Sequence, residues 1–363
     1  MSEIRLLVVE NNDEIIENYN ETIKRLARKG DKIFSMIVAK NFEEAKELIT
    51  NNHIDIAIID LNLSQDKGSG NAQGNEAIRE IKKNHRLPIY VITAEPGILD
   101  DDIKEMVTLY KKGVTENLVI FREIYKTLKS EIVQYFSKNG YLEKIINDFY
   151  WNHLSKTMKS WQKVERNYPT EIEKILSRHT LASLNEQLYV TSNAGSFDKY
   201  HPGEMYIIPP IKKHYHTGDM VEKDGEKFLI MNPACDIVNK DKMEYYTLAK
   251  IVKAIDLPKI KKKTDENKVL YINDNLKKVN KLDRYHFLPT FDILDDDYII
   301  DFQDISIVEI GVITKTVYTE YLVEREANIK EYQKIASIAS PFLKDIIARF
   351  SAYYARQGQP NFL

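Results

Sequence analysis

The chain has 363 residues, 43% hydrophobic and 29% charged, with a formal net charge of −3. That length accommodates two domains and a connector, and the near-neutral balance excludes a molecule-wide basic field for nucleic acid. One cysteine excludes an internal disulfide, no apolar run approaches the roughly 20 residues of a bilayer span, and Met1-Ser2-Glu3-Ile4 has no signal-peptide pattern, so a cytoplasmic protein with no membrane partner is expected.

Residues 1–137 alternate strand and helix patterns. Ile4–Val9 reads as a strand, and Asp13–Arg28 as a helix with Ile15, Ile16, Tyr19, Ile23 and Leu26 on one stripe. A short strand over Phe34–Val38 and a helix over Phe42–Asn51 follow. The apolar run Ile54–Ile59 is the pattern of a buried parallel strand. The spacing then predicts a helix over Asn75–Lys83, a strand over Ile89–Ile92 and a helix over Ile98–Tyr110. Asn117–Ile120 reads as a weak fifth strand and Glu123–Phe136 as the last helix. Five such repeats predict a doubly wound, five-stranded parallel sheet of the α/β class.

Ser137-Lys138-Asn139-Gly140 interrupts this pattern. Residues 138–186 read as a helical linker or dimerisation hairpin, with helices over Tyr141–Trp161 and Thr170–Leu184. The aromatic stripe of the first helix makes a homodimer an expectation. Residues 187–363 read as a β-rich α+β domain with C-terminal helices. Its strand candidates are Met205–Ile208, Lys227–Met231 and Ile305–Thr314, and Asp224-Gly225 marks a hairpin turn. Tyr245–Ile255 is open between helix and strand, residues 259–281 read as a loop, and Glu324–Gln357 as one or two helices with Pro341 starting the second.

Chemistry concentrates at the carboxyl ends of three strands. The first ends in Glu10-Asn11, the third in Asp60-Leu61-Asn62, the fourth in Thr93-Ala94. Polar groups delivered to one edge of an open α/β sheet make a site there. In this order and spacing, these motifs make residues 1–137 resemble a response-regulator receiver domain. The resemblance implies that Asp60 accepts a phosphoryl group, that Glu10, Asp60 and the Asn62 carbonyl hold Mg²⁺, and that the Thr93 hydroxyl contacts the phosphoryl group. It implies a histidine kinase or a GHKL-type ATPase as partner. The chain departs from the family at Asn11, where a second acid is usual, at Ser64, where proline is usual, and in a loop about six residues longer over Ser64–Gly74. With the fifth strand at Asn117–Ile120, no lysine stands at its end, and Arg122 is the substitute at hand.

A second cluster holds His214, His216, Cys235 and Asp236. It is open between a cysteine nucleophile, a metal set without closed zinc spacing, and a buried thiol with surface histidines. The turn Gly218-Asp219 before an apolar strand faintly resembles SH3-like barrels such as those of MazF-type toxins. Residues 259–281 carry eight lysines against three acids, so nucleic acid is a partner to consider but not the favoured one. Two functions follow as expectations. One is an atypical response regulator or pseudo-receiver that controls a C-terminal interaction or output domain, in a bacterial stress or phage-defence setting. The other is a receiver-regulated effector enzyme, nuclease or toxin-like, acting on nucleic acid.

Overall fold

In the computed structural model, the structure describes residues 4–28, 34–63, 70–190, 200–239, 243–277, 283–309 and 331–356. The chain forms two compact units, residues 1–195 and 196–363.

The N-terminal unit is built on a five-stranded parallel sheet: β1 (Ile4–Val9), β2 (Phe34–Ala39), β3 (Ile56–Ile59), β4 (Ile89–Thr93) and β5 (Thr108–Lys111). The strands lie in the order β2-β1-β3-β4-β5, with each neighbouring pair parallel. β3 and β4 are buried along their whole length, and β1 everywhere except Arg5. That is what a sheet covered on both faces requires. One face packs Leu7, Val9, Ala57, Ile59 and Val91 against α2 (Phe42–Asn51) and α3 (Gly70–Asn84). The other packs Leu6, Val8, Ile56, Ile58 and Ile92 against α1 (Asp13–Arg28) and α5 (Asn117–Leu128). The expected doubly wound architecture is present, and it is the strand order of receiver domains.

The fifth repeat differs from the sequence reading. The predicted helix Ile98–Tyr110 shrinks to α4 (Asp101–Lys104), and β5 follows at once. The predicted strand Asn117–Ile120 is instead the first turn of α5. Its apolar run belongs to a stripe at helical spacing, because Ile120, Phe121, Ile124 and Leu128 are all buried on one side. β5 gave little signal because it is an edge strand with half-exposed and exposed residues only. The predicted helix Glu123–Phe136 divides at Ser130, whose hydroxyl caps α6 (Glu131–Phe136) by accepting from the Val133 N–H.

Beyond Gly140, the predicted helix Tyr141–Trp161 is broken. It runs as α7 (Tyr141–Phe149), a π turn over Tyr150–Leu154, a 3₁₀ turn over Ser155–Thr157, and α8 (Met158–Asn167). The return helix α9 spans Ile172–Val190. His179 on α9 contacts the rings of Phe149 and Trp161, with centroids 6.1 and 4.7 Å apart. Gly140 fits where α7 starts against α6, because a Cβ there would lie 2.3 Å from the Gln134 carbonyl oxygen.

The second unit holds a seven-stranded sheet in the order β10-β11-β9-β8-β7-β12-β6. Its strands are β6 (Tyr206–Ile207), β7 (Asp219–Lys223), β8 (Glu226–Ile230), β9 (Tyr245–Lys253), β10 (Tyr285–Leu288), β11 (Tyr298–Glu309) and β12 (Gln333–Ile338). All the pairings are antiparallel. The expected SH3-like barrel is not what this seven-strand order describes. The Asp224-Gly225 hairpin is present, both residues having positive φ (53° and 80°) as a two-residue primed turn demands. The undecided segment Tyr245–Ile255 is mainly strand β9. Within the expected loop 259–281, Pro258–Lys261 (α11) and Asp265–Ile272 (α12) are helical, since Ile260, Ile272 and Leu276 are buried beside Ile299. Residues 278–281 lie outside the described residues, as do 310–314 of the predicted strand Ile305–Thr314 and 324–330 of the predicted C-terminal helices. Gln333–Ile338 of that helical prediction is strand β12, and one helix follows, Ser340–Ala355, with Pro341 in its first turn. Phe302, Ala336 and Ile346 meet in the core between this helix and the sheet.

β7 and β12 are locked by a buried ion pair. Asp219 Oδ2 lies 2.7 Å from Lys334 Nζ and accepts from the His216 N–H at 2.7 Å, while the Ser337 hydroxyl donates to Oδ1 at 2.6 Å. Lys334 also donates to the carbonyls of Lys212 and His214. Asp219→Ala would leave the largely buried Lys334 ammonium with carbonyl acceptors but no carboxylate, and a loss of about 3 kcal/mol in denaturant unfolding of this unit is expected. A change below ~1 kcal/mol would show that water compensates the lysine.

Candidate functional site

The crevice outside the carboxyl ends of β1 and β3 is where the strand order reverses, because the chain leaves β1 toward β2 on one side and β3 toward β4 on the other. Glu10 immediately follows β1 and Asp60 immediately follows β3, and they are only 2% and 5% exposed. The backbone fixes both: the Glu10 N–H donates to the Ala39 carbonyl at 3.0 Å, and the Asp60 N–H to the Val9 carbonyl at 2.9 Å.

Lys112, the residue after β5, reaches back across the edge. Its Nζ is 2.6 Å from Glu10 Oε2 and 2.6 Å from Asp60 Oδ2. The sequence reading had no lysine here because it placed the fifth strand too late. With β5 ending at Lys111, Lys112 is the first residue beyond it, and its N–H donates to the Thr93 carbonyl at 2.8 Å. Gly113, with φ +78°, turns the chain away. The sequence signal was Thr108-Leu109-Tyr110, a short β-prone run, followed by Lys-Lys-Gly.

The remaining predicted residues surround this triad. Thr93 ends β4, is fully buried, and its hydroxyl accepts from the Glu95 N–H at 3.3 Å. The Asn62 N–H donates to Asp60 Oδ1 at 3.3 Å, and the Asn12 N–H to Glu10 Oε1 at 3.1 Å. Asn11 is turned to structure, its amide donating to the Leu63 carbonyl at 2.9 Å. Burial pushes the Glu10 carboxyl above its ordinary value, and the nearby Asp60 charge adds to that, while Lys112 and the Asn12 N–H pull the other way.

The groups that could hold a hard cation are the Glu10 and Asp60 carboxylates and, as the resemblance implies, the Asn62 peptide carbonyl, all oxygen, with water to complete a shell of the Mg²⁺ kind. Among the described residues, no cluster of three or more His, Cys, Asp or Glu side chains could hold a metal, so a cation here would depend on the peptide carbonyl and water.

The helix that packs behind the site approaches very closely. A Cβ on Gly74 of α3 would lie 2.5 Å from Leu61 Cα and 2.7 Å from the Asp60 carbonyl oxygen. Helix α3 begins at Gly70, so Gly74 lies inside it rather than at its start. Residues 64–69 of the lengthened loop, Ser64 among them, lie outside the described residues.

In the second unit, the predicted cluster sits on irregular backbone. His214 is exposed and His216 half-buried, on a loop rather than an extended strand. Burial lowers the His216 imidazole pKa, helped by Lys212. Cys235 is exposed in the short helix α10 (Ala234–Val238), its Sγ 3.6 Å from Oδ1 of its neighbour Asp236. The expectation of a buried thiol at a strand end therefore does not hold, because the strand stops at Ile230 and Pro233 starts a new turn.

No family model matches the chain, and no curated protein matches it. Solved structures similar to it include a CheY-like receiver domain from Methylobacillus flagellatus. That match has 16% identity and a TM-score of 0.29, and covers 35% of this chain and all of the other. The PhyR response regulator REC domain of Erythrobacter litoralis is similar at 20% identity and a TM-score of 0.29, over 36% of this chain and 95% of that one. A response regulator from Thermotoga maritima is similar at 18% identity and a TM-score of 0.28, over 36% of this chain and 100% of that one. The N-terminal unit has the receiver fold, an assignment that its own strand order carries. No helix among the described residues is long and apolar enough to cross a membrane.

Proposed function

We propose that this protein is a response-regulator-type signalling protein in which Asp60 is the phosphoryl acceptor and the second unit is the output. The observation that carries the reading is the Lys112 ammonium, 2.6 Å from both Glu10 and Asp60 in the switch-point crevice. An Asp60 oxygen attacks the phosphorus of a phosphohistidine or acyl phosphate. The bond from phosphorus to the donor atom breaks, and the electron pair leaves with the donor. Lys112 holds positive charge where the phosphoryl oxygens arrive, and the Thr93 hydroxyl, at the neighbouring strand end, donates a hydrogen bond to one of them. When bound by Glu10, Asp60 and the Asn62 carbonyl, Mg²⁺ supplies the charge that offsets the anionic donor. The donor on this reading is a histidine kinase or a GHKL-type ATPase. The helices of residues 141–190, which expose Tyr141, Ile146 and Trp151, are the segment offered to a second copy.

The expected result is that acetyl phosphate with Mg²⁺ adds one phosphoryl group to the intact wild-type mass, in a hydroxylamine-labile form, and adds none to Asp60→Asn. No mass gain, with a competent receiver labelled in parallel, would leave the second reading: a receiver-shaped binding module that never turns over phosphate. One observation favours that alternative. Asn11 stands where a second acid would, and its amide is committed to the Leu63 carbonyl.

A further inference from the structure

At the amino edge of β1 and β3, about 20 Å from Asp60 along the length of β1, a cavity of about 610 Å³ opens between the sheet, the end of α5, and α6. That volume falls within the range of small-molecule sites. Four cationic side chains line it: Arg5 from β1, Arg86 from the turn before β4, Lys129 after α5, and Lys138 before α7. The one carboxylate in the lining, Asp55, is already engaged: His53 Nε2 lies 3.0 Å from its Oδ1, and the Arg5 backbone N–H donates to its Oδ2 at 2.8 Å. Arg86 is steadied by donating to the Phe136 carbonyl and to Glu143, both at 3.3 Å. Beneath the charges lies an apolar floor of Ile4, Leu128 and Val133, with the Tyr125 ring beside it and Lys129 Nζ 4.3 Å above that ring.

An excess of cations over an apolar and aromatic floor selects a ligand with several negative charges and a flat apolar body. We propose that this cavity binds a nucleoside triphosphate, with the phosphates on Arg5, Arg86 and Lys129 and the base on the floor near Tyr125. Guanidinium and ammonium groups contact phosphate through charge-assisted hydrogen bonds, and the aromatic ring suits a base of any identity. The site is separate from the Asp60 crevice and does not depend on it. Because Arg86 joins the cavity to the carbonyl end of α6 and the first turn of α7, a bound ligand would draw on contacts that hold the helical segment to the sheet.

The test is titration calorimetry of the full chain with ATP and with GTP in magnesium-free buffer, which keeps the metal crevice out of play. Saturable binding of at least one nucleotide is expected, retained in Asp60→Asn and weakened at least about tenfold in the Arg5→Gln/Lys129→Gln double variant. Both substituted side chains are on exposed residues, and unchanged circular dichroism of the double variant would confirm that its fold is intact. The proposal is overturned if neither nucleotide binds at millimolar concentration, or if the double variant binds as well as wild type. It is equally overturned if inorganic phosphate binds as tightly as the nucleotides, because the cavity would then be a simple anion site.

Discussion

Lys112→Met should abolish phosphoryl transfer to Asp60 and destabilise the N-terminal unit by about 3 kcal/mol at neutral pH. Methionine keeps most of the stem and removes the ammonium. Glu10 and Asp60 are both buried, so the substitution leaves two neighbouring carboxylates without their shared cation. Breaking a buried ion pair from one side costs about 3–5 kcal/mol. The lower end applies because the Lys112 side chain is still 20% exposed and water can partly replace it. The dependence on pH carries a definite sign. Burial raises the Glu10 carboxyl in the folded state, so between the ordinary and the folded values the folded chain holds a proton that the unfolded chain has released. Stability from this group is therefore fully present below the ordinary glutamate value and is lost as pH rises through the folded value. Removing Lys112 takes away two of the influences that lower the Glu10 pKa. The window should extend to higher pH, and the variant should recover much of its stability on acidification. Lys112→Arg, which keeps the charge, should lie closer to wild type. Urea unfolding from pH 4 to pH 8 measures this directly, and a Lys112→Met curve parallel to wild type would sink the account.

The sequence revealed those parts of the fold that bury their apolar residues without interruption. β1, β3 and β4 are rich in Ile, Leu and Val because both faces of the sheet are covered. Each ends in a polar residue with nowhere to go but the carboxyl edge, so Glu10, Asp60 and Thr93 could be placed without the structure. The fifth repeat was obscured by two opposing effects. β5 is an edge strand whose Thr108 and Lys111 face solvent, so no buried run marks it. The first turns of helix α5 contain Leu118-Val119-Ile120-Phe121, of which Ile120 and Phe121 are buried and Val119 is exposed. Only the continuation to Ile124 and Leu128 reveals the helical period. The lysine of the site was therefore missed through a shift of register between elements, not through any lack of a lysine. In the second unit Gln333–Ile338 falls within the predicted helices Glu324–Gln357 but is strand β12, and only its last four residues alternate between half-buried and buried. Its strand character comes from pairing with β7 across a long stretch of chain, which local pattern cannot register.

Gly74→Ala is the second change with a large expected effect, and the sign has to be decided between two opposed terms. Gly74 lies inside α3, where alanine is the better helix former by about 0.5–1 kcal/mol. On propensity alone the substitution would stabilise. Against this, the new Cβ would stand 2.5 Å from Leu61 Cα, 2.7 Å from the Asp60 carbonyl oxygen and 3.0 Å from the Leu61 carbonyl oxygen. All three are backbone atoms of the acceptor turn, and Leu61 is itself fully buried, so no flexible side chain can swing aside. Overpacking of this kind costs about 1–3 kcal/mol, and here relief requires moving either α3 or the turn that carries Asp60. The clash outweighs the helical gain. A net destabilisation of about 1–2 kcal/mol is expected, together with loss of Asp60 labelling by acetyl phosphate, because displacing Leu61 disturbs the Asn62 N–H contact to Asp60 Oδ1. Gly97→Ala is the internal control. A Cβ there meets nothing within 4 Å, so its stability should stay within about 0.5 kcal/mol of wild type and its labelling should be unchanged. If Gly74→Ala instead unfolds later in urea than wild type and still takes up phosphate, the close packing of α3 on the acceptor turn does not set the geometry of the site.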